Sequence, residues 1–309
     1  MSIKPPGPGV PRRPSRPSGS GDEWVVADSG ERYWGRYGAA GLLAFDAARD
    51  SVLLQHRVWW SHFGGTWALP GGARHEDESA VDAALREALE EAGVPATSIR
   101  PRATSVLDLD IWSYTTVVGD VTHPFEPVIS DPESHALEWV RVDAVVDHPL
   151  HPSFQDAWVH LRSALHLRPV IVVDAANVVG SVPDGWWKDR AGATDRLLDR
   201  LEALATEGLE ASAVDLPATR WFPRFVVVVE GAARGVADRH GEDHTGDVTV
   251  VRAAASGDDE IAATAERLAA AEDAVTVVTS DRELARRAER AGAGVRGASW
   301  LIDLIGAAS

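Results

Sequence analysis

Cysteine is absent from the 309-residue sequence, which excludes disulfide bonds, thiolate catalysis and zinc sites built on cysteine. This absence fits a protein of the reducing cytoplasm, which is the location we expect. No run approaches the roughly 18 apolar residues of a membrane span, so we expect no membrane partner. Basic residues are also scarce: 30 Lys and Arg stand against 47 Asp and Glu, and the resulting net charge of −17 argues against general coating of nucleic acid.

The chain divides into a tail and two halves with different patterns. Residues 1–22 are rich in proline, glycine and serine and predict a disordered, locally basic tail. Residues 23–166 mix short strand-like runs with one strongly helical segment, which predicts an α+β layered domain. Residues 169–309 alternate continuous β-branched runs with helices, which predicts a second domain with a three-layer α/β fold around a parallel sheet.

The predicted elements of the first half are strands near 38–45, 51–57, 103–110, 112–121 and 137–142, with helices near 79–92 and 153–165. Those of the second half are strands near 169–174, 225–230, 248–251 and 275–280, with helices near 192–206, 258–272, 282–291 and 299–306.

The most acidic segment, residues 71–94, contains seven acids and two arginines. On a helix, Glu87, Glu90 and Glu91 share one face while the alanines and leucines between them face a core. Neighbouring like charges destabilise a helix, and hard divalent cations such as Mg²⁺ or Mn²⁺ would offset the repulsion. The alternative is a solvated helix face, the commonest fate of a charge run.

The spacing of this segment matches a known motif, G-x5-E-x7-R-E-U-x-E-E-x-G-U, where U is apolar. Its fixed positions are filled by Gly72, Glu78, Arg86, Glu87, Glu90, Glu91 and Gly93, with Ala88 and Val94 at the apolar positions. The segment therefore resembles the Nudix box, and residues 37–166 resemble one Nudix domain with its mixed sheet between helices.

The resemblance implies metal-assisted hydrolysis of a nucleoside diphosphate linked to another group. Glu87, Glu90 and Glu91 would then hold Mg²⁺ or Mn²⁺ together with the carbonyl of Gly71. Glu78 and Arg86 would form a structural ion pair, with Gly72 and Gly93 as structural glycines of the motif. The context 66-TWALPGG-72 resembles that of family members that sanitise the nucleotide pool, and this likeness implies nucleoside triphosphates, including oxidised ones, as substrates.

Some Nudix enzymes take a further carboxylate, as base or metal ligand, from a later loop. Here Glu133 is the first candidate and Glu138 the second, although either could be an ordinary surface glutamate. Trp59 and Trp60, in the loop before the box, could stack on a nucleobase or could simply pack at the rim of the core.

In the second half, apolar runs lead into Asp174, Glu230 and Asp281, and a further acidic group, with Asp258 and Asp259, opens a helix. Ligands of parallel sheets bind beyond the carboxyl ends of the strands, so these acids predict a metal site there. Each acid taken singly could instead cap a helix.

The same residues resemble the PIN-like nucleases of the NYN branch, over about 169–305. Segments 171–180, 257–262 and 277–288 carry the likeness. It implies that Asp174, Asp258 and Asp281 bind Mg²⁺ or Mn²⁺ and that phosphodiesters, usually of RNA, are cleaved. The remaining site candidates are Asn177, Glu230 and Asp259 near these ligands, and Arg282 and Arg286 as phosphate contacts. The two arginines could equally pair with glutamates on an exposed helix.

Three functional hypotheses follow. The first is a bifunctional enzyme: a Nudix pyrophosphohydrolase acting on a nucleotide and joined to a metal-dependent ribonuclease. In the second, only the Nudix half is catalytic, and the C-terminal half binds nucleotide or RNA or mediates dimerisation. In the third, the Nudix half senses a nucleotide and regulates the nuclease; the intact box favours catalysis. By analogy with both families we expect a homodimer.

Overall fold

The computed structural model describes residues 19–182, 186–239, 247–271 and 273–307. Most of the predicted tail, residues 1–18, lies outside the described residues. Its last residues are held by backbone hydrogen bonds: the carbonyl of Gly19 accepts from the Glu76 amide (3.0 Å), and the carbonyl of Gly21 accepts from the Arg36 amide (2.8 Å). In the described part of the chain, no helix is long and apolar enough to cross a membrane.

The first half contains strands β1 (Trp24–Val26), β2 (Arg32–Trp34), β3 (Ala39–Asp46), β4 (Ser51–Arg57), β5 (Trp67–Ala68), β6 (Gly71–Ala73), β7 (Ile99–Asp108), β8 (Ser113–Val121) and β9 (Ser134–Arg141), with helices α1 (Ala80–Ala92) and α2 (Pro152–Ala164). The second half contains β10 (Pro169–Asp174), β11 (Leu209–Glu210), β12 (Arg220–Trp221), β13 (Arg224–Val229), β14 (Val248–Arg252), β15 (Ala274–Val278) and β16 (Gly294–Arg296). Its helices are α3 (Ala175–Gly180), α4 (Arg190–Glu207), α5 (Ala211–Val214), α6 (Gly257–Ala270), α7 (Arg282–Arg290) and α8 (Ala298–Ala307).

The sheet of the first half is mixed, which confirms the predicted α+β fold. Strand β3 is parallel to β8 and antiparallel to β4 and β6. Because side chains alternate along a strand, β3 serves two cores. Leu42 packs with the alanines of α1 on one face, whereas Leu43 and Phe45 pack with α2 on the other. Alanine at the contact lets α1 lie close to the sheet.

The sheet of the second half has five strands, all parallel, in the order β14-β13-β10-β15-β16. Helices α3, α4 and α8 contribute to the core on one face, and α6 and α7 to the core on the other. The predicted three-layer α/β fold is therefore confirmed. From central β10 the chain first adds β13 and β14 on one side and then crosses to add β15 and β16 on the other, so the strand order reverses beside β10.

Two short strands of the second half lie in the first sheet, a connection that the sequence did not predict. Strand β12 pairs antiparallel with β7, and β11 pairs with β12. The first sheet therefore has nine strands: β11, β12, β7, β8, β3, β4 and β5 in this order, with β6 paired to β3 and β9 paired to β4. Strands of two residues are too short to produce an alternating pattern, so only tertiary contacts reveal them.

Candidate functional sites

Helix α1 is fixed at both ends in the orientation that presents its acids. At its start, the Ser79 hydroxyl accepts a hydrogen bond from the Asp82 amide (3.0 Å). At its end, Gly93 adopts a left-handed conformation with φ of 63°, and its amide donates to the Leu89 carbonyl (3.1 Å). Glycine is favoured there because it alone adopts this conformation without a Cβ penalty. These caps set the length and direction of the glutamate face.

The three glutamates of α1 lie in different environments. The Glu91 side chain is buried, and its Oε2 accepts from the Gly71 amide (2.9 Å). Glu87 is 13% exposed, and Glu90 is 60% exposed. Burial and the nearby charge of Glu87 raise the pKa of Glu91 to about 8. The acid face therefore runs from a deeply buried carboxyl to a solvent-facing one.

Arg86 lies among these acids and offsets their repulsion. Its guanidinium donates to both carboxylate oxygens of Glu78 (2.8 and 2.9 Å) and to Glu87 (2.8 Å), and lies 3.6 Å from Glu90. Burial pushes the pKa of Glu78 upward, but the hydrogen bonds from Arg86 and from the His75 amide, together with the charge of Arg86, hold it below the ordinary value. The ion pair with Glu78 lies where the motif placed it, and the contacts with Glu87 and Glu90 are additional.

The glycines before α1 allow a close approach of backbone to carboxylate. A Cβ on Gly72 would lie 2.7 Å from the Glu87 carboxylate, and one on Gly71 would lie 2.5 Å from the backbone of Gly41. Side chains at these two positions would displace the acid or separate β6 from β3. The loop therefore needs glycine for space.

The donor chemistry of this face suits a hard cation. Glu91 and Glu87 are neighbouring carboxylates with low exposure, an arrangement that a divalent cation stabilises. Within the described ranges, no three His, Asp or Glu side chains are already arranged to hold a metal ion. Arg86 holds Glu87 and lies near Glu90, so metal binding would require these side chains to turn toward the ion.

The later loop reaches the same face through a residue that the sequence analysis missed. The Ser130 amide donates to the Glu91 carbonyl (3.3 Å), and the charge of Asp131 contributes to the raised pKa of Glu91. The candidate Glu133 lies beside the end of β4, where its carbonyl accepts from the Val58 amide (3.0 Å). The second candidate, Glu138, is exposed on β9 opposite Leu54. A single aspartate in a loop is common, so Asp131 carries no distinguishing sequence signal.

Two more residues near Glu91 were not predicted from the sequence as parts of this site. The charge of Arg57, at the end of β4, acts on Glu91, and its Nε donates to the carbonyl of His62 (3.2 Å). The Tyr114 hydroxyl lies against Gly41, where a Cβ would be only 2.1 Å away. Burial and the charge of Glu91 raise the pKa of Tyr114. A strand-end arginine and a strand tyrosine are common, so neither carried a sequence signal.

The tryptophan candidates are accessible. Trp59 is 85% exposed and Trp60 48% exposed, both in the loop after β4. The same loop carries His62, whose carbonyl is held by Arg57. The loop thus connects the accessible rings to the neighbourhood of Glu91.

The second half contains a cavity of about 290 Å³ at the carboxyl edge of the parallel sheet. It is lined by Asp174, Ala176, Asn177, Val228, Glu230, Gly257, Asp258, Ile261 and Asp281. Asp174 is buried, and burial raises its pKa, with the charges of Asp258 and Glu230 adding to the effect. Burial and the charge of Asp281 likewise raise the pKa of Asp258. The structure thus brings four of the predicted acids together.

Most polar groups of this cavity already have partners in the protein. Asp174 accepts from the Thr279 hydroxyl (2.9 Å) and the Asn177 amide (3.0 Å). The Glu230 carboxylate accepts from the Gly257 amide (2.9 Å). Asp281 caps α7, accepting from the amides of residues 283 and 284 (both 2.8 Å). Helix capping, the alternative for single acids, therefore holds for Asp281 and also for Asp174, the N-cap of α3.

The remaining candidates lie outside the lining of the cavity. Asp259 does not line the cavity and is paired with Arg287 (2.8 Å). Arg282 and Arg286 are exposed on α7, which begins beside Asp281. Neither arginine lines the cavity, and both side chains are accessible to a polyanion.

Comparison with known proteins identifies the first half. A family profile described as NUDIX domain matches residues 35–161. The protein named "Putative 8-oxo-dGTP diphosphatase 3" from Mycobacterium tuberculosis is 50% identical over 155 residues, covering 47% of this chain and 71% of that protein. The chain belongs to the Nudix family. This Nudix protein is accordingly a hydrolase of nucleotide pyrophosphate bonds, as predicted, and its family is typically dependent on divalent metal ions.

Two further relatives match the same share of the chain. A "Nucleoside triphosphate pyrophosphatase/Nudix hydrolase fusion protein" from Bifidobacterium longum is 37% identical over 154 residues, 47% of this chain and 32% of that protein. The crystal structure of a Nudix hydrolase from M. smegmatis, RenU, is 48% identical, with a TM-score of 0.43, and covers 46% of this chain and 93% of that one. The NUDIX match ends at residue 161, so the acidic cavity lies outside it.

Proposed function

We propose that this Nudix hydrolase is a metal-dependent diphosphatase of nucleoside triphosphates, with 8-oxo-dGTP as the favoured substrate. The observation that carries the substrate is the 50% identity to a mycobacterial protein named for that activity. The complete box with its graded glutamate face supports catalysis over a purely sensory role.

The residues that would hold Mg²⁺ or Mn²⁺ are Glu87, Glu90 and Glu91, with the carbonyl of Gly71. When bound, the ion supplies charge neutralisation of the diphosphate and a water of lowered pKa. The protein contributes positioning: the Gly71 amide holds Glu91, and Arg86 holds Glu87.

Substrate groups beyond the phosphates would meet the loop after β4. Trp59 and Trp60 expose rings on which a purine could stack, a contact worth about 1–3 kcal/mol per base. Glu133 remains our candidate for the additional carboxylate. Asp131, whose charge acts on Glu91, is an alternative candidate for that role.

The test is a panel of substrates with the full chain and Mg²⁺ or Mn²⁺. We expect the highest kcat/KM for 8-oxo-dGTP, ahead of dGTP, nucleotide sugars, dinucleoside polyphosphates and capped RNA. Glu90→Gln serves as the inactive control. Preference for another member of the panel would replace the proposed substrate, and activity in Glu90→Gln equal to the parent would remove the proposed site.

A second activity is proposed for the C-terminal half: metal-dependent cleavage of phosphodiesters, as in PIN-like nucleases. The supporting observation is the 290 Å³ cavity at the carboxyl edge of the parallel sheet, where Asp174, Glu230, Asp258 and Asp281 converge. In this proposal Asp174, Asp258 and Asp281 hold the metal with Asn177 nearby, and Arg282 and Arg286 contact phosphates.

Cleavage of single-stranded and structured RNA in Mn²⁺ tests this activity. Asp174→Asn should abolish cleavage, whereas Asp195→Asn, a change on α4 outside the cavity, should not. RNA binding without cleavage would favour the binding-module alternative. A dimer in solution that dissociates when the second half is altered would favour the dimerisation alternative. Nuclease activity that changes on addition of 8-oxo-dGTP would favour the sensor alternative.

A further inference from the structure

A segment of the second half is built into the Nudix sheet. Arg220 and Trp221 of β12 lie opposite Thr104 and Ala103 of β7 in antiparallel register. The pairing is extended at both ends: the Thr219 amide donates to the Thr104 carbonyl (2.8 Å), and the Phe222 amide donates to the Arg102 carbonyl (2.9 Å). The backbone of β7 is therefore covered at residues 102–104.

The same segment also fills the Nudix core. Trp221 is fully buried, and its ring belongs to the apolar cluster formed by β3, β4 and α2. Its Nε1 donates to the carbonyl of Pro217 (2.6 Å), so the polar atom of the ring is satisfied within the segment. Ala211 is buried in that cluster too, and Leu216 packs against it. This is side-chain burial typical of a domain core.

Polar contacts hold the two sheets together beside this segment. Arg100 of β7 is paired with Asp247, just before β14 (2.7 Å). Only Phe222 and Pro223 separate β12 in the first sheet from β13 in the second. Strand β13 leads directly to Glu230 in the acidic cavity. The chain thus passes from the Nudix core to the second site within ten residues, from 221 to 230.

We propose that residues 209–222 are a structural part of the Nudix domain, delivered from within the C-terminal half, and that the diphosphatase requires this segment for its stability. The β7 edge is an interaction surface whose partner is this chain's own segment. Cutting the chain at the apparent boundary near residue 167 would remove an edge strand and a core tryptophan from the Nudix half. The inference depends on the Nudix hydrolase activity, whichever nucleotide is the substrate.

A pair of engineered cysteines tests the pairing directly. The sequence has no cysteine, so Thr104→Cys with Arg220→Cys allows a single cross-link within one chain. Residues opposite one another in antiparallel strands have Cα atoms about 4.5–5.5 Å apart, within the range that a disulfide spans. We expect a cross-link within one chain, seen on a non-reducing gel, and full diphosphatase activity in the oxidised protein. A cross-link between two chains would overturn the proposal, and so would the absence of any cross-link.

Removal of the core ring tests the dependence on this segment. For Trp221→Ala in the full chain we expect the temperature of half-inactivation of the diphosphatase to fall by about 10 °C. Trp221→Phe should restore most of the loss. The matched control is Trp187→Ala, a tryptophan of the same half that is 61% exposed, which should change little. Unchanged heat inactivation in Trp221→Ala would contradict the proposal, and if that variant does not fold, the cysteine pair still decides.

Discussion

Two clusters of acids lie in the two halves of the molecule, one along a face of α1 and the other at the carboxyl edge of the parallel sheet. On α1 the charges are balanced by a side chain, Arg86, which binds Glu78 and Glu87. At the sheet edge they are balanced mainly by backbone amides and a hydroxyl, as for Asp174 and Asp281. The first cluster thus contains a cationic side chain, the Arg86 guanidinium, among its acids.

This difference affects how each cluster can be interpreted. Acids that accept from amides at helix starts have a structural role whether or not a metal binds, because they cap the helix. Glu90, in contrast, is 60% exposed on the face that it shares with Glu87 and Glu91, and it caps no helix end. The α1 face therefore presents an acid that has no capping role, whereas Asp174 and Asp281 at the sheet edge cap helices.

The largest effect should come from neutralising the buried glutamate of α1. Glu91→Gln should lower the rate of metal-dependent nucleotide hydrolysis at least about 100-fold, since loss of even a supporting metal contact costs 10–100-fold. Glu76→Gln, an exposed acid of the same segment, should retain the parent rate. Steady-state kinetics at saturating Mg²⁺ measure both. A small effect in Glu91→Gln would place the chemistry elsewhere.

Removal of the Arg86 guanidinium should destabilise the first half. Arg86→Ala removes the guanidinium that binds Glu78 and Glu87, and breaking such a partly buried pair costs about 3 kcal/mol in free energy of unfolding. Arg141→Ala breaks the exposed pair with Asp143 and should cost under about 1 kcal/mol. Urea unfolding of the two variants compares them. Equal losses would show that Arg86 is not a special element of this cluster.

The pH dependence of stability should distinguish the α1 face in the metal-free protein. The pKa of Glu91 is raised to about 8 by burial and Glu87, above its value in the unfolded chain. The folded state then holds a proton that the unfolded state releases, so stability falls as pH rises from about 5 to about 8. Thermal unfolding in a chelator should show this fall, and Glu91→Gln should reduce it. A slope that is the same in both proteins would assign the effect to other groups.

The smallest effect is expected at the sheet edge. Thr279→Val removes the hydroxyl that donates to Asp174 and should cost about 1–2 kcal/mol of stability. Diphosphatase activity should be unchanged, because Thr279 follows β15 in the other half of the molecule. Heat denaturation and nucleotide hydrolysis on one preparation measure both. A loss of hydrolysis would mean that the two clusters are coupled.

Much of this architecture follows from local sequence patterns. The span of α1 was predicted to within a residue, since its apolar spacing, the preceding Ser79 and the terminal Gly93 all agree. The β-branched runs at β10 and β13 likewise predicted buried parallel strands whose ends carry Asp174 and Glu230.

What the sequence could not predict depends on contacts between distant residues. Strands β11 and β12 have two residues each and acquire their identity only from β7. The burial of Glu91 and the exposure of Glu90, adjacent in sequence, depend on how closely α1 lies against β6. The influence of Asp131 on Glu91 likewise comes from a loop forty residues away.

The most direct test of this account measures 8-oxo-dGTP hydrolysis with Mg²⁺ in three full-length proteins: the parent, Glu91→Gln and Asp174→Asn. We predict that Glu91→Gln loses hydrolysis while Asp174→Asn retains the parent rate, since the diphosphatase site lies on α1 and not at the sheet edge. Hydrolysis that survives in Glu91→Gln but disappears in Asp174→Asn would contradict the account.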